Sequence, residues 1–363
     1  MSDETTRRML RMYEQQASPT MFLAGLFDSR PENFHNTEEV EIDIVRSDED
    51  VAIAIQDLSQ GYRMNSTDVY TNKSFIPPIF KEAVALNAFD LLKRMPGNTP
   101  FEDPVFRANI LERMMMGMQK VERKIRRSIE LQAAQVLTTG VVTLVDSAGN
   151  TLYTIDYKAK TAHFPTVSVA WSSASSTKIA DLQSLANVIR NNGQRDPDQL
   201  IMGEGSFEYF VQDDDVQKRY DQRRLDLGTM APMRQMGDGG QYRGVVEIGT
   251  YRYDIWTYGG RYKHPSTGTI TKYIPDDKVM MRASTGRLDA TWGGIPNIAR
   301  ELGKAQMFPE LPARFSMGGA GGMDMATNIW ITPDGEQMFG GVGSRPLMIP
   351  TAIDTFGCLD TNP

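Results

Sequence analysis

The sequence predicts an α+β protein organised around one very long helix. Apolar side chains recur at steps of three and four residues through 103–138, which is the helical period. Segments that alternate apolar and polar residues run from 245 to 282 and are typical of strands. The helix would be about 50 Å long at roughly 1.5 Å per residue, about the diameter of a compact chain of this size. The pattern therefore favours a flat or elongated subunit with this helix as its spine.

The charge of the chain is concentrated at its N-terminal end. The 363 residues include 46 acidic and 39 basic side chains, which give a net charge of −7. Residues 1–50 contain 12 acidic and 5 basic side chains, whereas residues 51–363 contain 34 of each. A neutral body of this kind is not built to grip nucleic acid through its phosphates. The acidic segment 38–50 is interpreted as solvated or as facing a basic protein surface.

Cysteine usage and hydropathy bound the cellular context. Cys358 is the single cysteine, which excludes an intrachain disulfide framework and indicates a reducing compartment. The first residues, MSDETTRRML, hold no long apolar region of the kind found in a secretory signal. No run of 18 apolar residues occurs, so neither a transmembrane helix nor a membrane partner is expected.

The N-terminal third predicts extended rather than compact structure. Residues 5–27 predict a weak helix followed by a loop, and the alternation in 40–44 and 51–55 predicts two half-buried strands. The polar stretch 60–74 has no helical period and predicts an exposed loop. Pro77-Pro78 closes this stretch, because it excludes a helix or a central strand.

The long helix has clear start and stop signals. Asp103 suits the N-cap, Pro104 suits the first helical position and Gly140 is a plausible terminator. Its apolar stripe consists of Met114, Met118, Val121, Ile125, Ile129, Ala133 and Val136. Its opposite face carries Arg113, Lys120, Arg123, Lys124, Arg126 and Arg127. Methionine at helical spacing is interpreted mainly as core filler, with an adaptable contact surface as the alternative.

The elements after the long helix follow in order. A hairpin is predicted at 141–145 and 151–157, and a second amphipathic helix from Ile179 to Gly193. A buried strand is predicted at 200–202, and another helix at 207–228 with a break near 213–215. The remaining strands are predicted at VVEI, YRYDIWTY, TITKYI, KVMMRA, NIWIT and PLMIP.

No catalytic, cofactor or metal site is expected. His35, His163 and His264 lie far apart and match no zinc spacing. GGVGSR at 340–345 lacks the Lys-Ser/Thr pair of a phosphate-binding loop, and GGAGG at 318–322 does not open a helix after a strand. Asp213-Asp214-Asp215 is interpreted as facing water, and Cys358 as a structural or incidental thiol.

Several stretches, in the same order along the chain, resemble the major capsid proteins of tailed phages, specifically the phage lambda major head protein family. They are DPVFR (103–107), VQKRYDQRRL (216–225), YDIWTYGGRY (253–262), YIPDDKVMM (273–281) and SRPLMIP (344–350). The resemblance covers most of the chain and rests on this order rather than on one motif. It leaves the acidic segment 38–50 and the loop 318–322 without a role.

The resemblance implies the Hong Kong ninety-seven-type phage capsid fold. Its parts would be an N-terminal arm, an extended loop, a peripheral domain containing the spine helix 103–138, an axial α/β domain and C-terminal strands that return to both domains. The corresponding residues are 1–44, 45–86, 87–177, 178–300 and 301–363. It implies copies that assemble into pentamers and hexamers, and these into an icosahedral shell around packaged double-stranded DNA without specific recognition. It also implies assembly in the host bacterial cytoplasm.

The resemblance further implies a scaffolding protein, a portal protein and a decoration protein as partners. Opposite charges suggest that the acidic arm of one copy meets the basic helix face of another. The candidate subunit-contact residues are Glu39, Glu41, Asp48, Tyr62, Arg63, Met64, Arg123, Lys124 and Arg127. Lys73 is the candidate for covalent cross-linking, although relatives of this type rely on decoration instead.

Two other functions are consistent with parts of the pattern. An encapsulin-type bacterial compartment shares the implied fold but encloses protein cargo rather than DNA. A two-domain α/β enzyme would need a pocket with converging carboxylates or histidine, and the sequence shows no motif for one.

Overall fold

The computed structural model describes residues 19, 21–35, 37, 39–44, 71–87, 106–221, 225–226, 229–230, 239–295, 324–332 and 336–363. Their α-helices are α1 (Phe106–Thr139), α2 (Lys178–Gly193), α3 (Glu204–Val211) and α4 (Asp214–Gln217). Their strands are β1 (Val40–Ile44), β2 (Thr71–Phe75), β3 (Phe80–Asn87), β4 (Val141–Val145), β5 (Thr151–Asp156), β6 (Gln199–Met202), β7 (Tyr220–Asp221), β8 (Leu225–Asp226), β9 (Thr229–Met230), β10 (Gly240–Ile248), β11 (Tyr251–Tyr258), β12 (Arg261–Lys263), β13 (Ile270–Lys272), β14 (Lys278–Arg282), β15 (Asp289–Trp292), β16 (Ala326–Ile331), β17 (Gln337–Ser344), β18 (Pro346–Ile349) and β19 (Phe356–Asp360). Short 3-10 helices lie at Ala24–Leu26, Pro31–Asn33, Thr161–His163 and Ile353–Thr355.

A six-stranded sheet lies at the centre, in the order β19-β14-β6-β11-β10-β7. β6 and β11 run parallel, and the other neighbours run antiparallel. The middle strands are apolar on both faces, since both faces are covered. On β6, Leu200 and Met202 belong to one hydrophobic core, whereas Ile201 belongs to the other. The period-two alternation of the strand thus divides the interior into two cores.

The helices α2 and α3 cover one face of this sheet. Leu182, Leu185 and Ile189 of α2 are fully buried there. Phe210 of α3 lies 5.9 Å from Trp171, measured between ring centroids. The predicted helix 179–193 is confirmed with its C-terminal end at Gly193.

The helix α1 lies in the other core and contacts both the central sheet and the three-stranded sheet β16-β17-β3. All seven residues of the predicted apolar stripe are buried. A Cβ at Gly117 would lie 2.9 Å from Val84 of β3, and one at Gly340 of β17 would meet Met114 and Met118. Methionines 114 and 118 are therefore core filler, as predicted. Gly140, at φ +70, ends the helix where the sequence predicted.

The remaining strands among the described residues form two-stranded ribbons. The predicted hairpin is present as β4–β5, and β12–β13 is a second one. β1 and β2 are separated by residues 45–70 in the sequence. They pair antiparallel, from Val40 opposite Phe75 to Ile44 opposite Thr71. β15 pairs with β18, and β8 with β9.

Two sequence predictions about secondary structure are wrong. Residues 71–74, which were expected in an exposed loop, belong to the strand β2 because they pair with β1. The helix expected over 207–228 ends at Gln217, and β7 follows at Tyr220. The break predicted near 213–215 is confirmed, because the Asp213 carboxylate accepts hydrogen bonds from the N–H groups of Asp215 and Val216 and caps the start of α4. The Asp213 side chain also pairs with Lys178 at 3.1 Å, so it does not simply face water.

Other predictions are incomplete or fall outside the described residues. β3, β15, β17 and β19 were not predicted, and GGVGSR turns out to lie largely within β17. The strand expected at 51–55, the N-cap Asp103 and the loop 318–322 lie outside the described residues.

Candidate functional site

The acidic members of the predicted contact set lie at the base of the β1–β2 ribbon. Glu39 is exposed and immediately precedes β1, and Glu41 is paired in register with Ser74 of β2. Asp48, Tyr62, Arg63 and Met64 lie outside the described residues, as do the side chains of Glu41 and Lys73.

The basic members lie on α1, and Lys124 forms an ion pair within its own chain. The ammonium of Lys124 lies 2.5 Å from the Glu82 carboxylate on β3. Arg127 is half-buried, and its carbonyl oxygen accepts a long hydrogen bond from the Tyr273 hydroxyl. Within the described part of the chain, Glu39 forms no ion pair with Arg123, Lys124 or Arg127. Of the acidic set, Glu39 alone has a described side chain, and the structure does not pair it with the basic set inside one subunit.

Both strands of the β1–β2 ribbon are attached to the body at the base of the ribbon. Before β1, the Gly294 N–H donates to the carbonyl of Thr37 at 3.3 Å. After β2, the Arg345 guanidinium lies 3.5 Å from the carbonyl oxygen of Pro77 and donates to that of Gly294 at 2.8 Å. The Gly293 N–H donates back to the Arg345 carbonyl at 2.9 Å. The Arg345 side chain, 3% exposed, thus links the segment before β1 to the segment after β2.

A tyrosine completes this attachment from β5. The Tyr153 hydroxyl donates to the carbonyl of Ile76, the residue before Pro77. Burial raises the pKa of Tyr153 to about 12, although the nearby Arg345 cation acts in the opposite direction. The hydroxyl therefore keeps its proton and remains a donor at neutral pH. We call Tyr153, Gly293, Gly294 and Arg345 the ribbon anchor.

Several large apolar side chains stay exposed on the projecting elements. Ile76 and Ile79, on either side of the two prolines, are 49% and 53% exposed. Leu152 on β5 and Ile270 on β13 are exposed further still. Trp330 on the edge strand β16 is 41% exposed and stacks on Phe339. Apolar surface on ribbons and an edge strand is typical of segments that meet another chain.

A fully buried carboxylate attaches the N-terminal segment to the middle of α1. Glu130 accepts hydrogen bonds from the N–H groups of Leu23, at 2.9 Å, and Ala24, at 2.8 Å. The segment then continues along β15, where Phe34 stacks on Trp292 with ring centroids 4.8 Å apart. Residues 21–35 are therefore held against the body along their length.

The polar clusters of the described residues are structural. A cleft near the start of α3 contains several carboxylates, but Lys272 pairs with two of them, Glu204 at 2.5 Å and Asp276 at 2.6 Å. His163 is buried with Nδ1 2.8 Å from the Phe356 carbonyl, which makes it a link to β19. No group of three metal-ligating side chains lies together in the described ranges.

Two further features concern reactivity and membranes. Burial raises the pKa of the Cys358 thiol to about 12, which keeps it protonated and inert. No helix in the described part of the chain is long and apolar enough to cross a bilayer.

Sequence reasoning missed Glu130, Tyr153 and Arg345. Each acts on a segment at least 51 residues away along the chain. The only available signal was a charged residue inside an apolar pattern: Glu130 follows the stripe residue Ile129, and Arg345 precedes PLMIP.

Comparison with known proteins gives one family. The model of the family described as phage major capsid protein E matches residues 5–357. No curated protein matches the chain.

Among solved structures, a prophage capsid protein of E. coli CFT073 has a TM-score of 0.60 at 17% identity, over 94% of this chain and 93% of that chain. The capsid of cyanophage P-SCSP1u has a TM-score of 0.48 at 10% identity, over 97% and 92%. An encapsulin complex of Synechococcus elongatus PCC 7942 has a TM-score of 0.47 at 10% identity, over 100% and 96%. The first likeness shows the fold, and the other two carry no argument about function.

Proposed function

The chain belongs to the phage major capsid protein E family, and from this premise we propose that its copies form pentamers and hexamers that close into an icosahedral shell around the double-stranded DNA of a tailed phage. The protein is a structural component of the virion shell and not an enzyme. Its copies associate with one another, because a shell is built from many copies of its major capsid protein.

The β1–β2 ribbon is the observation that supports assembly most directly. An isolated two-stranded ribbon is marginally stable in water. In the described residues this ribbon is attached to the body at its base, through the backbone of Thr37, Ile76 and Pro77 and the side chains of Val40 and Phe75. A neighbouring copy on which the ribbon can lie would supply the missing buried surface.

The division of the chain in this proposal follows the predicted one. Residues 1–44 are the N-terminal arm, 45–86 the extended loop, 87–177 the peripheral domain, 178–300 the axial domain and 301–363 the returning strands. The helix α1 lies in the peripheral domain, and the sheet that it supports combines β3, from the end of the extended loop, with the returning strands β16 and β17. The sheet strands β6, β10 and β11 belong to the axial part.

The charge distribution suits a container for DNA. Residues 51–363 are electrically balanced, with 34 acidic and 34 basic side chains. A strongly basic wall would bind the phosphates and retard packing of the DNA. The proposal therefore includes DNA as contents that the wall encloses without sequence recognition.

The basic face of α1 is proposed to receive the acidic arm of a neighbour. Arg123, Lys124 and Arg127 supply the positive charge, and Glu39, Glu41 and Asp48 the negative charge. Lys124 is already paired with Glu82, but both side chains are largely exposed, so the pair is weak and exchangeable. Tyr62, Arg63 and Met64 are proposed to contact the neighbour from the extended loop.

The proposed partners besides other copies are a scaffolding protein, a portal protein and a decoration protein, with assembly in the host bacterial cytoplasm. Cross-linking through Lys73 is not part of the proposal. A ladder of covalent multimers on a denaturing gel would overturn that point.

Electron microscopy of the protein expressed with its neighbouring phage genes tests the proposal. We expect closed shells, and nucleic acid inside those that have been filled. Shells that contain an enzyme instead of DNA would establish the encapsulin-type function. A homogeneous monomer or dimer that does not assemble in the presence of the scaffolding protein would contradict shell formation.

A further inference from the structure

We propose that Arg345 and Tyr153 are positioning residues that fix the direction in which the β1–β2 ribbon leaves the subunit. The inference rests on the proposed function, since the direction of the ribbon matters when it must reach a neighbouring copy. It assigns a role in assembly to two side chains that lie outside the predicted contact set.

The first argument is that the two ends of the ribbon share one anchor. Arg345 reaches Pro77 at one end and Gly294 at the other, and Gly294 itself holds Thr37. The two strands therefore cannot change direction independently of each other. A planar guanidinium with several donors can serve two carbonyls at once, whereas a lysine ammonium is a compact point donor.

The second argument is that the backbone at the anchor has little freedom of its own. Pro77 and Pro78 have fixed φ angles and restrict the residues before them. The consecutive carbonyls of Ile76 and Pro77 are taken by Tyr153 and Arg345, from two different parts of the fold. A Cβ at Gly293 would approach the Pro77 ring to 3.0 Å, so close packing opposes sideways movement.

The third argument is that the anchor is rigidly placed. Arg345 lies between β17 and β18 and is 3% exposed. Tyr153 extends from β5, whose partner β4 follows α1 directly. A ring contact between Phe75, the last residue of β2, and Tyr157 at 5.4 Å adds a third link. The body, through Arg345, Tyr153 and Tyr157, therefore sets the direction of the ribbon.

Electron spin resonance of the unassembled subunit tests the proposal. Spin labels are placed on the ribbon with Ser74→Cys and on α2 with Ser184→Cys, both at exposed positions. The native Cys358 is buried and stays unlabelled. In the Tyr153→Phe and Arg345→Lys variants, we expect the distance distribution to become about twofold broader, because a ribbon held by fewer bonds samples more orientations.

The control is Tyr209→Phe, which removes the same hydroxyl from an exposed tyrosine of α3. A distribution as narrow in Tyr153→Phe as in the control would overturn the role of Tyr153, and the same result in Arg345→Lys that of Arg345. Should Arg345→Lys fail to fold, Tyr153→Phe decides alone, since it loses one partly exposed hydroxyl.

Shell formation gives the second readout. With the phage genes present, we expect Tyr153→Phe to yield more open or irregular shells than Tyr209→Phe. Absence of shells from the unsubstituted protein would contradict the proposed function but leave the spin-label result standing. Regular shells from a variant with a broadened distance would show that the ribbon direction does not govern assembly.

Discussion

Glu130 shows how one buried residue can organise a distant segment. Its two carboxylate oxygens accept from consecutive backbone N–H groups 107 and 106 residues away. A carboxylate has only acceptors, whereas a glutamine amide keeps one acceptor oxygen and would turn its NH2 group toward the other N–H, which also donates. The N-terminal segment is therefore attached by a contact that depends on the charge and not only on the shape of the side chain.

The substitution Glu130→Gln should lower the free energy of unfolding by about 3 kcal/mol, since hydrogen bonds to a charged group are worth roughly 1.5–3 kcal/mol each. Urea unfolding measures the loss. The matched control is Glu247→Gln, at an exposed ion pair with Arg252, for which we expect a change below about 0.5 kcal/mol. Equal stability of the two variants would show that Glu130 does not hold the segment.

Buried acids that stay protonated predict a loss of stability in alkali. Burial raises the pKa of Cys358 from 9.0 to about 12 and that of Tyr153 from 10.0 to about 12. As the pH rises above 9, the unfolded chain gives up protons that the native state retains. The contribution of these two groups to the free energy of unfolding is therefore fully present below pH 9 and is lost as the pH approaches 12.

Unfolding free energies measured in urea at about pH 8 and about pH 11 should show this fall, at up to roughly 1.4 kcal/mol per pKa unit for the buried Cys358 and less for the half-buried Tyr153, which solvent screens. Cys358→Ala, which removes one of the groups, should make the fall shallower. A free energy that does not change over this range would contradict the protonated state of the thiol.

At the scale of elements, the fit between α1 and the three-stranded sheet depends on glycine. Gly340 lies on the face of β17 that meets Met114 and Met118, whereas Gly343 lies on the same strand with only ordinary contacts around an added Cβ. An added Cβ would therefore clash with α1 at Gly340 but would make only ordinary contacts at Gly343. The glycine-rich strand is a consequence of the helix that lies on it.

Gly340→Ala should destabilise the protein by about 1–3 kcal/mol, because the added methyl group overpacks the interface with α1. Gly343→Ala should be nearly neutral. Thermal unfolding of the two variants side by side measures the difference. Comparable melting temperatures would indicate that Met114 moves aside without cost.

The same elements show what the sequence could and could not predict. α1 was predicted closely because its stripe repeats through many turns and Gly140 follows it. β17 was missed because its glycines leave no alternation, and β15 and β19 because strands buried on both faces have none. The break at 213–215 was predicted, but the helix over 207–228 was extended too far, because β7 depends on its pairing with the distant strand β10 and not on a local pattern.

The contact set was predicted from charge and from the family resemblance. The structure locates Arg123, Lys124 and Arg127 on one helix, but a single subunit does not show the neighbouring copy that they are proposed to contact. The ribbon anchor was not predicted, because Arg345, Tyr153 and Pro77 come together only in the folded chain.

At the scale of the whole molecule, the acidic arm and the basic face of α1 should drive association between copies. Charge reversal by Arg123→Glu, Lys124→Glu and Arg127→Glu together should reduce shell yield at low salt about tenfold, which corresponds to about 1.4 kcal/mol. Sedimentation of assembled shells measures the yield. High salt should reduce the difference in shell yield between this variant and the unsubstituted protein, since salt screens exposed charges.

The matched control reverses three exposed lysines elsewhere, Lys158, Lys218 and Lys263, with the same change in net charge. An equal loss of yield in the control would attribute the effect to net charge rather than to this face of the helix. Unchanged assembly of the α1 variant would contradict the proposed contact.

The position of β19 bears on how the protein is synthesised. Its residues Phe356 and Cys358 belong to one hydrophobic core and Leu359 to the other, and it closes the edge of the central sheet beside β14. A nascent chain thus leaves both cores open until residues 356–360 have emerged from the ribosome. Interrupted translation products lack the strand that completes either core, and so they cannot present the finished subunit surface to a growing particle. Synthesis of β19 is therefore required before the subunit can assemble.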